Sequence, residues 1–224
     1  MTTIDTKALS KLRKKISHSE NKNVTIIAVT KTHPFSAIES AIENKVYNIG
    51  ENKVQETEQK LKEYNKPKEM VLHLIGHLQK NKAGKAVKIY DYIQTVDSLE
   101  LAKKIQKKAN EINKTQKIYM QINIGNIKGR YGFKTKEIYE AAKTINELEN
   151  ISIEGVMIIP PLTSDEKKYI NYFTEAKKIQ KKLKKSIKSC KEISMGMSND
   201  YEHAINEGAT HIRIGSALFG ERRK

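Results

Sequence analysis

Lys31 follows the apolar run 24–29 after a single threonine, at the point where a first strand should end. An amine at the end of a buried strand is partly desolvated. Desolvation lowers a lysine pKa and frees the lone pair for attack on a carbonyl. The chain holds 42 Lys and Arg residues, so position alone does not separate Lys31 from a solvated surface lysine. Two further segments suit an anion. MGMSND (195–200) is expected to open a helix directly after a strand. There Ser198 offers a hydroxyl, and the helix start offers free N–H groups and the positive end of a dipole. HIRIGS (211–216) repeats the pattern at the last strand. Gly215 permits close backbone approach, and Ser216 adds an N–H and a hydroxyl. Either serine alone reads equally well as a helix cap. Arg213, inside the last strand, points into a barrel mouth or outward to a helix, and if buried it needs a partner. That partner is a carboxylate such as Glu221 or a ring nitrogen of a ligand.

These groups need a scaffold that brings chain segments about 180 residues apart to one place. Short apolar runs at 24–29, 46–49, 71–75, 90–96, 117–124, 153–159, 192–195 and 211–214 read as strands, the second very short and the fourth interrupted by Gln94. Continuous β-branched runs suit strands buried on both faces. Helical patterns at 35–45, 52–64, 98–112, 135–148, 164–189 and 199–207 lie between them. Pro34 near the start of the first, Asn52, and Asp97-Ser98 are cap or start signals, and Gly208 is a C-cap signal. Alternation of strand and helix implies a parallel sheet, and eight such units imply closure into a single (β/α)8 TIM barrel over residues 1–224. An open doubly wound sheet would carry a glycine-rich turn after its first strand, where this chain has Thr30-Lys31-Thr32-His33. In a barrel, function sits at the carboxyl ends of the strands, and the last two strand ends usually bind phosphate. Lys31 and the two serine turns all fall on that rim.

Composition narrows the classes. A length of 224 residues suits one α/β barrel domain of ~200–250 residues. Apolar residues make up 38% of the chain, enough for a core. No stretch approaches the ~18 consecutive apolar residues of a membrane span, and no apolar run follows the N-terminal charges as in a secretory signal. A lone cysteine, Cys190, forms no internal disulfide and suits a reducing, cytoplasmic setting. A net charge of +16 points either to an anionic partner or to a general lysine bias. The basic amphipathic pattern at 169–188 fits RNA or a membrane surface, but an outer barrel helix with solvated lysines explains the same pattern and is the preferred reading. The scattered histidines show no metal-ligand spacing, and Gly76 breaks any helix joining His73 to His77. Asp97 reads as a helix cap rather than a base.

Several motifs span the chain in order: AVTK (28–31), IGENKVQE (49–56), HLIGHLQKNK (73–82), GVMIIP (155–160), SMGMSND (194–200) and IRIGSALFGER (212–222). By these the chain resembles the pyridoxal phosphate homeostasis proteins, which are similar to the N-terminal barrel of alanine racemase. The resemblance implies pyridoxal 5'-phosphate as cofactor, held by Lys31 as an internal aldimine. It implies phosphate contacts from Ser198, Gly215 and Ser216, and Arg213 at the pyridine nitrogen, with Asn52 and Met197 lining the pocket. It further implies a protein that buffers and delivers the cofactor to apo-enzymes without established catalysis. An arginine partner disfavours protonation of the ring nitrogen, so the ring is a poorer electron sink than with an aspartate. In the racemases a second base comes from a tyrosine on a separate β domain and the partner subunit. The sequence to Lys224 shows neither that domain nor an evident replacement, from which a monomer is expected. An amino-acid racemase or lyase of narrow scope is the alternative.

Overall fold

A computed structural model describes residues 2–163 and 165–220. All eight expected strands form: β1 (Thr25–Val29), β2 (Asn48–Glu51), β3 (Val71–Leu74), β4 (Tyr92–Val96), β5 (Gln116–Ile122), β6 (Ile151–Ile158), β7 (Glu192–Ser194) and β8 (His211–Ile214). They pair in parallel in sequence order and close β8 onto β1, with Ile27 of β1 opposite both Asn48 and Arg213. This is the barrel expected from the alternating pattern.

The strands sort their side chains by alternation, as a pleated strand requires. Leu72, Leu74, Ile93, Ile212 and Ile214 join the apolar cluster packed under the helices. Their neighbours His73, Gln94 and Arg213 are also buried and bond to one another's partners across the lumen. Gln94 therefore does not interrupt a strand; it is a lumen-facing residue of β4.

The helices are α1 (Thr6–Ser17), α2 (Ser36–Glu43), α3 (Val54–Glu63), α4 (Ala83–Ile89), α5 (Leu99–Asn110), α6 (Ile138–Asn146), α7 (Glu166–Ser186), α8 (Tyr201–Asn206) and α9 (Ser216–Phe219). The reading of the sequence misses α1 and α4. In α1, Leu9, Leu12 and Ile16 are buried at helical spacing, and Asp5 caps the backbone N–H groups of Lys7 and Ala8 at 2.9 Å. Asp5 N also donates to Leu218 O at 2.7 Å, which ties the N-terminal segment to α9. Helix α4 has only seven residues and includes Gly84, so its period is hard to see. Two cap expectations change. Asn52 caps nothing, because α3 starts after Lys53. Ser98, not Asp97, caps α5 through Leu101 N at 3.3 Å. Gly208, at φ 89°, follows α8 as expected.

Helix α7 buries Phe173, Ala176, Ile179 and Leu183 on one face. Its lysines lie on the remaining surface, which accounts for the amphipathic pattern at 169–188. Among the described residues no helix is long and apolar enough to cross a membrane.

Candidate functional site

The carboxyl ends of the strands surround a cavity of about 470 Å³. That is within the range of small-ligand sites. Lys31, Asn52, Met197, Ser198, Arg213, Gly215 and Ser216 all line it. Sequence positions far apart thus meet at one mouth, because each follows or ends a barrel strand.

Lys31 is half-buried in a turn just past β1, and its two neighbours are fixed from below. The Thr30 hydroxyl donates to Glu51 Oε1 at 2.7 Å. Lys60 Nζ reaches up from α3 to Thr30 O at 3.0 Å and to Glu51 Oε1 at 2.7 Å. Thr32, held at φ 66°, donates its N–H to Glu56 Oε1 at 2.6 Å. Burial pushes the Glu51 carboxyl above its usual value, against the pull of Lys60 and Thr30. The sequence reading did not find this clamp. The run 49–56 carries Glu51 and Glu56, but nothing in it selects Lys60 among the lysines.

The turns after β7 and β8 are joined to each other. Ser198 Oγ accepts from Ala217 N at 3.3 Å. Met197 N donates to Asp200 Oδ1 at 2.5 Å, so that N–H is already taken. The helices behind these turns are short, six residues in α8 and four in α9. The hydroxyls of Ser198 and Ser216 are therefore better anion donors than a helix dipole. Gly215 has φ −113°, and a Cβ added there would meet Val29 Cβ at 3.4 Å, an ordinary contact. Its neighbours leave room for a Cβ.

Arg213 is 4% exposed. Its Nη1 donates to Ser194 Oγ and its Nη2 to Ile158 O, both at 2.8 Å. Burial lowers its pKa to about 10, and Asp200 opposes that shift, so it is a cation at neutral pH. Asp200 itself is raised by burial, against the Met197 N–H and Arg213. Arg213 thus points into the barrel mouth rather than out to a helix. The carboxylate suggested for it, Glu221, lies outside the described residues.

His77 also lines the cavity, a role the sequence did not reveal. Its Nδ1 lies 3.1 Å from Asp97 Oδ2, and its ring stacks on Tyr131 at 3.6 Å between centroids. Asp97, read as a cap, instead orients this imidazole. The signal was present in the Asp97-Ser98 pair, where serine takes the cap and leaves the carboxylate spare. Gly76 fixes His77 relative to Asn52, because a Cβ there would lie 2.2 Å from Asn52 O. Among the described residues no group of three or more His, Cys, Asp or Glu side chains is placed to hold a metal ion.

The fold and cavity define a class: a (β/α)8 barrel presenting a lysine after its first strand and a serine–glycine cup after its last two. The chain belongs to the alanine racemase N-terminal domain family, whose sequence profile matches residues 4–223, and within it to the pyridoxal phosphate homeostasis proteins. A relative of that name from Synechocystis is 35% identical over 201 residues, covering 89% of this chain and 92% of its own. Another from Escherichia coli K12 is 32% identical over 225 residues, covering 96% and 95%. The structure of PipY from Synechococcus elongatus with PLP bound superposes with a TM-score of 0.86 at 33% identity, covering 96% of this chain and 99% of that one. Clostridium difficile alanine racemase, at 18% identity and a TM-score of 0.77, shares the fold.

Proposed function

We propose that this protein holds pyridoxal 5'-phosphate at the mouth of its barrel and serves in intracellular homeostasis of that cofactor. The observation that carries this reading is the convergence of Lys31, Arg213 and the serine–glycine cup on one cavity. The PLP-bound structure of PipY, a relative across nearly the whole chain, supports it. When bound, the cofactor supplies an aldehyde carbon for an amine and a conjugated ring that takes up electrons.

The residues present fit that group. Lys31 supplies the amine that attaches at the aldehyde carbon. Ser198 and Ser216 donate hydroxyl hydrogen bonds to the phosphate, and Gly215 lets the backbone approach it. Arg213 is donor-only, so it hydrogen-bonds an unprotonated ring nitrogen and opposes its protonation. Asn52 and Met197 would line the pocket beside the cofactor. Held this way the ring is a weak electron sink, which suits a carrier better than a catalyst. On this reading the protein is one cofactor-binding domain. It acts as a cytoplasmic monomer and passes pyridoxal phosphate to apo-enzymes.

The loaded protein should be yellow and should yield one borohydride-stable adduct, at Lys31. Lys31→Ala should lose both the visible band and the adduct. An adduct that persists at a single site in Lys31→Ala would overturn the assignment of the lysine.

A second reading, an amino-acid racemase or lyase of narrow scope, draws on the His77–Asp97 pair beside the cavity. An Asp-oriented imidazole can accept a proton. This reading predicts exchange of the α-hydrogen of some amino acid in deuterated water, abolished by His77→Gln. No exchange across a panel of amino acids removes it.

A further inference from the structure

The lumen beneath the cavity contains polar side chains joined in one line. Arg213 Nη1 donates to Ser194 Oγ at 2.8 Å, and Ser194 Oγ donates to Gln94 Oε1 at 2.7 Å. Gln94 Nε2 lies 3.0 Å from His73 Nδ1, and His73 Nε2 lies 2.9 Å from Asn48 Oδ1. The line runs from β8 through β7, β4 and β3 to β2, so it crosses the barrel. Ser194, Gln94 and His73 are fully buried.

Arg213 sets the direction of every link. A guanidinium only donates, so the Ser194 oxygen accepts from it. The serine's one hydrogen then goes to the Gln94 carbonyl. Gln94 is left presenting its NH2 to His73, whose Nδ1 must accept. The imidazole is therefore neutral with its hydrogen on Nε2, which donates to the Asn48 carbonyl. Burial holds His73 well below its ordinary pKa, with His211 and then Lys66 adding to the effect. The Tyr92 ring stacks on it at 4.7 Å and 13°. Bonds in such a buried chain polarise one another.

We infer that His73 and Gln94 are positioning residues for Arg213: the buried line through Ser194 fixes the guanidinium so that its remaining edge faces the cavity. Neither residue lines the cavity. The second anchor, Nη2 on Ile158 O, completes the hold and sets the guanidinium plane. Without the line, the cation would be drawn toward the Asp200 carboxylate, which attracts it, and away from the ligand. The ligand-binding consequence rests on the proposed function; the orientation of Arg213 does not.

The test compares His73→Gln with His73→Leu. Glutamine can accept through its carbonyl and donate through its amide, so it continues the line. Leucine, of similar size, cannot. Two signals are read: hydrogen exchange of the Arg213 guanidinium by NMR in the protein without ligand, and pyridoxal phosphate affinity with the position of its visible band. His73→Leu should speed the exchange, shift the band and weaken binding about fivefold, the low end of coupling between separated sites. His73→Gln should stay near the parent in both. Equal behaviour of the two variants, or a better-behaved leucine, overturns the inference, because packing alone favours leucine in a buried site. If the parent protein does not bind pyridoxal phosphate, the proposed function fails while the exchange comparison still decides this inference. Gln94→Met cuts the line one link nearer Arg213 and serves if His73→Leu does not fold. Parent-like exchange at Arg213 in Gln94→Met likewise overturns the inference.

Discussion

Replacing Lys60 by methionine should expose how the turn carrying Lys31 is held. Lys60 Nζ contacts Thr30 O at 3.0 Å, Glu51 Oε1 at 2.7 Å and Glu56 Oε1 at 3.2 Å. Methionine keeps most of the stem volume and removes the charge. Glu51 is then a carboxylate with 0% exposure, left with only the Thr30 hydroxyl, since its Oε2 has no hydrogen-bond partner. Removing one member of a buried pair costs about 3–5 kcal/mol. The Lys60 side chain is 11% exposed, so water screens part of the pair and the lower end, about 3 kcal/mol, is expected. The sign of the pH dependence follows from Glu51. Its folded-state pKa is already raised above 4.5, and losing Lys60 raises it further. A raised carboxylate pKa stabilises the fold below the unfolded value and loses that contribution as pH rises through the folded value. The penalty of Lys60→Met should thus be larger at an alkaline pH than at an acidic one, where Glu51 takes a proton. Urea unfolding of parent and variant at both pH values measures it. A penalty below about 1 kcal/mol, or one equal at both pH values, would show that the clamp is not a buried charge pair. Adding Glu51→Leu to Lys60→Met should recover most of the loss, because an apolar replacement removes the orphaned charge.

Three other outcomes follow from the same geometry. Gly215→Ala should nearly keep the melting temperature, since the nearest atom to its Cβ, Val29 Cβ, lies at an ordinary 3.4 Å, but weaken pyridoxal phosphate binding by about tenfold or more, the scale of one charge-assisted hydrogen bond lost if the methyl holds the phosphate off the backbone. Unchanged affinity in a spectral titration would remove Gly215 from the phosphate cup. Gly76→Ala should instead destabilise the fold by about 3 kcal/mol in denaturant unfolding, because its Cβ would lie 2.2 Å from Asn52 O and backbone must move. His211 is buried neutral, its pKa lowered from 6.5 to about 4 mainly by burial and then by Arg213. The unfolded chain takes up this proton first, so stability falls as pH drops from 6.5 to about 4, by about 3 kcal/mol in all. His211→Gln should lose less stability on acidification than the parent; an identical pH profile would contradict the burial of a neutral imidazole.

The barrel is legible in the sequence because its strands are buried on both faces and its chemistry is confined to their carboxyl ends. The misses have local causes. Helix α1 has Leu9, Leu12 and Ile16 at the right spacing, but six of its neighbours at positions 7–15 are polar or basic and hide the stripe. Gln94 looks like a flaw in β4 when strands are read as uniformly apolar. Its place is explained only by the lumen, where it meets Ser194 from 100 residues away. Lys60 is nine residues from Glu51. No spacing rule marks one lysine of so many as the one that turns inward.

These misses share a feature that bears on how the site works. Among the described residues, Lys31 and Arg213 line the cavity, and separate buried networks beneath it fix the neighbours of the first and the guanidinium of the second. The Glu51–Lys60 clamp fixes the residues on either side of Lys31, from α3 and β2. The lumen line and Ile158 O fix Arg213. Apart from the turn after β1 that carries Lys31, these bonds draw on strands and helix α3 rather than on the loops that rim the mouth. Groups preorganised from below need no lid to reach their working positions. A ligand can then enter and leave through the open rim without dismantling the residues that bind it, which is the behaviour a holder of a shared cofactor requires.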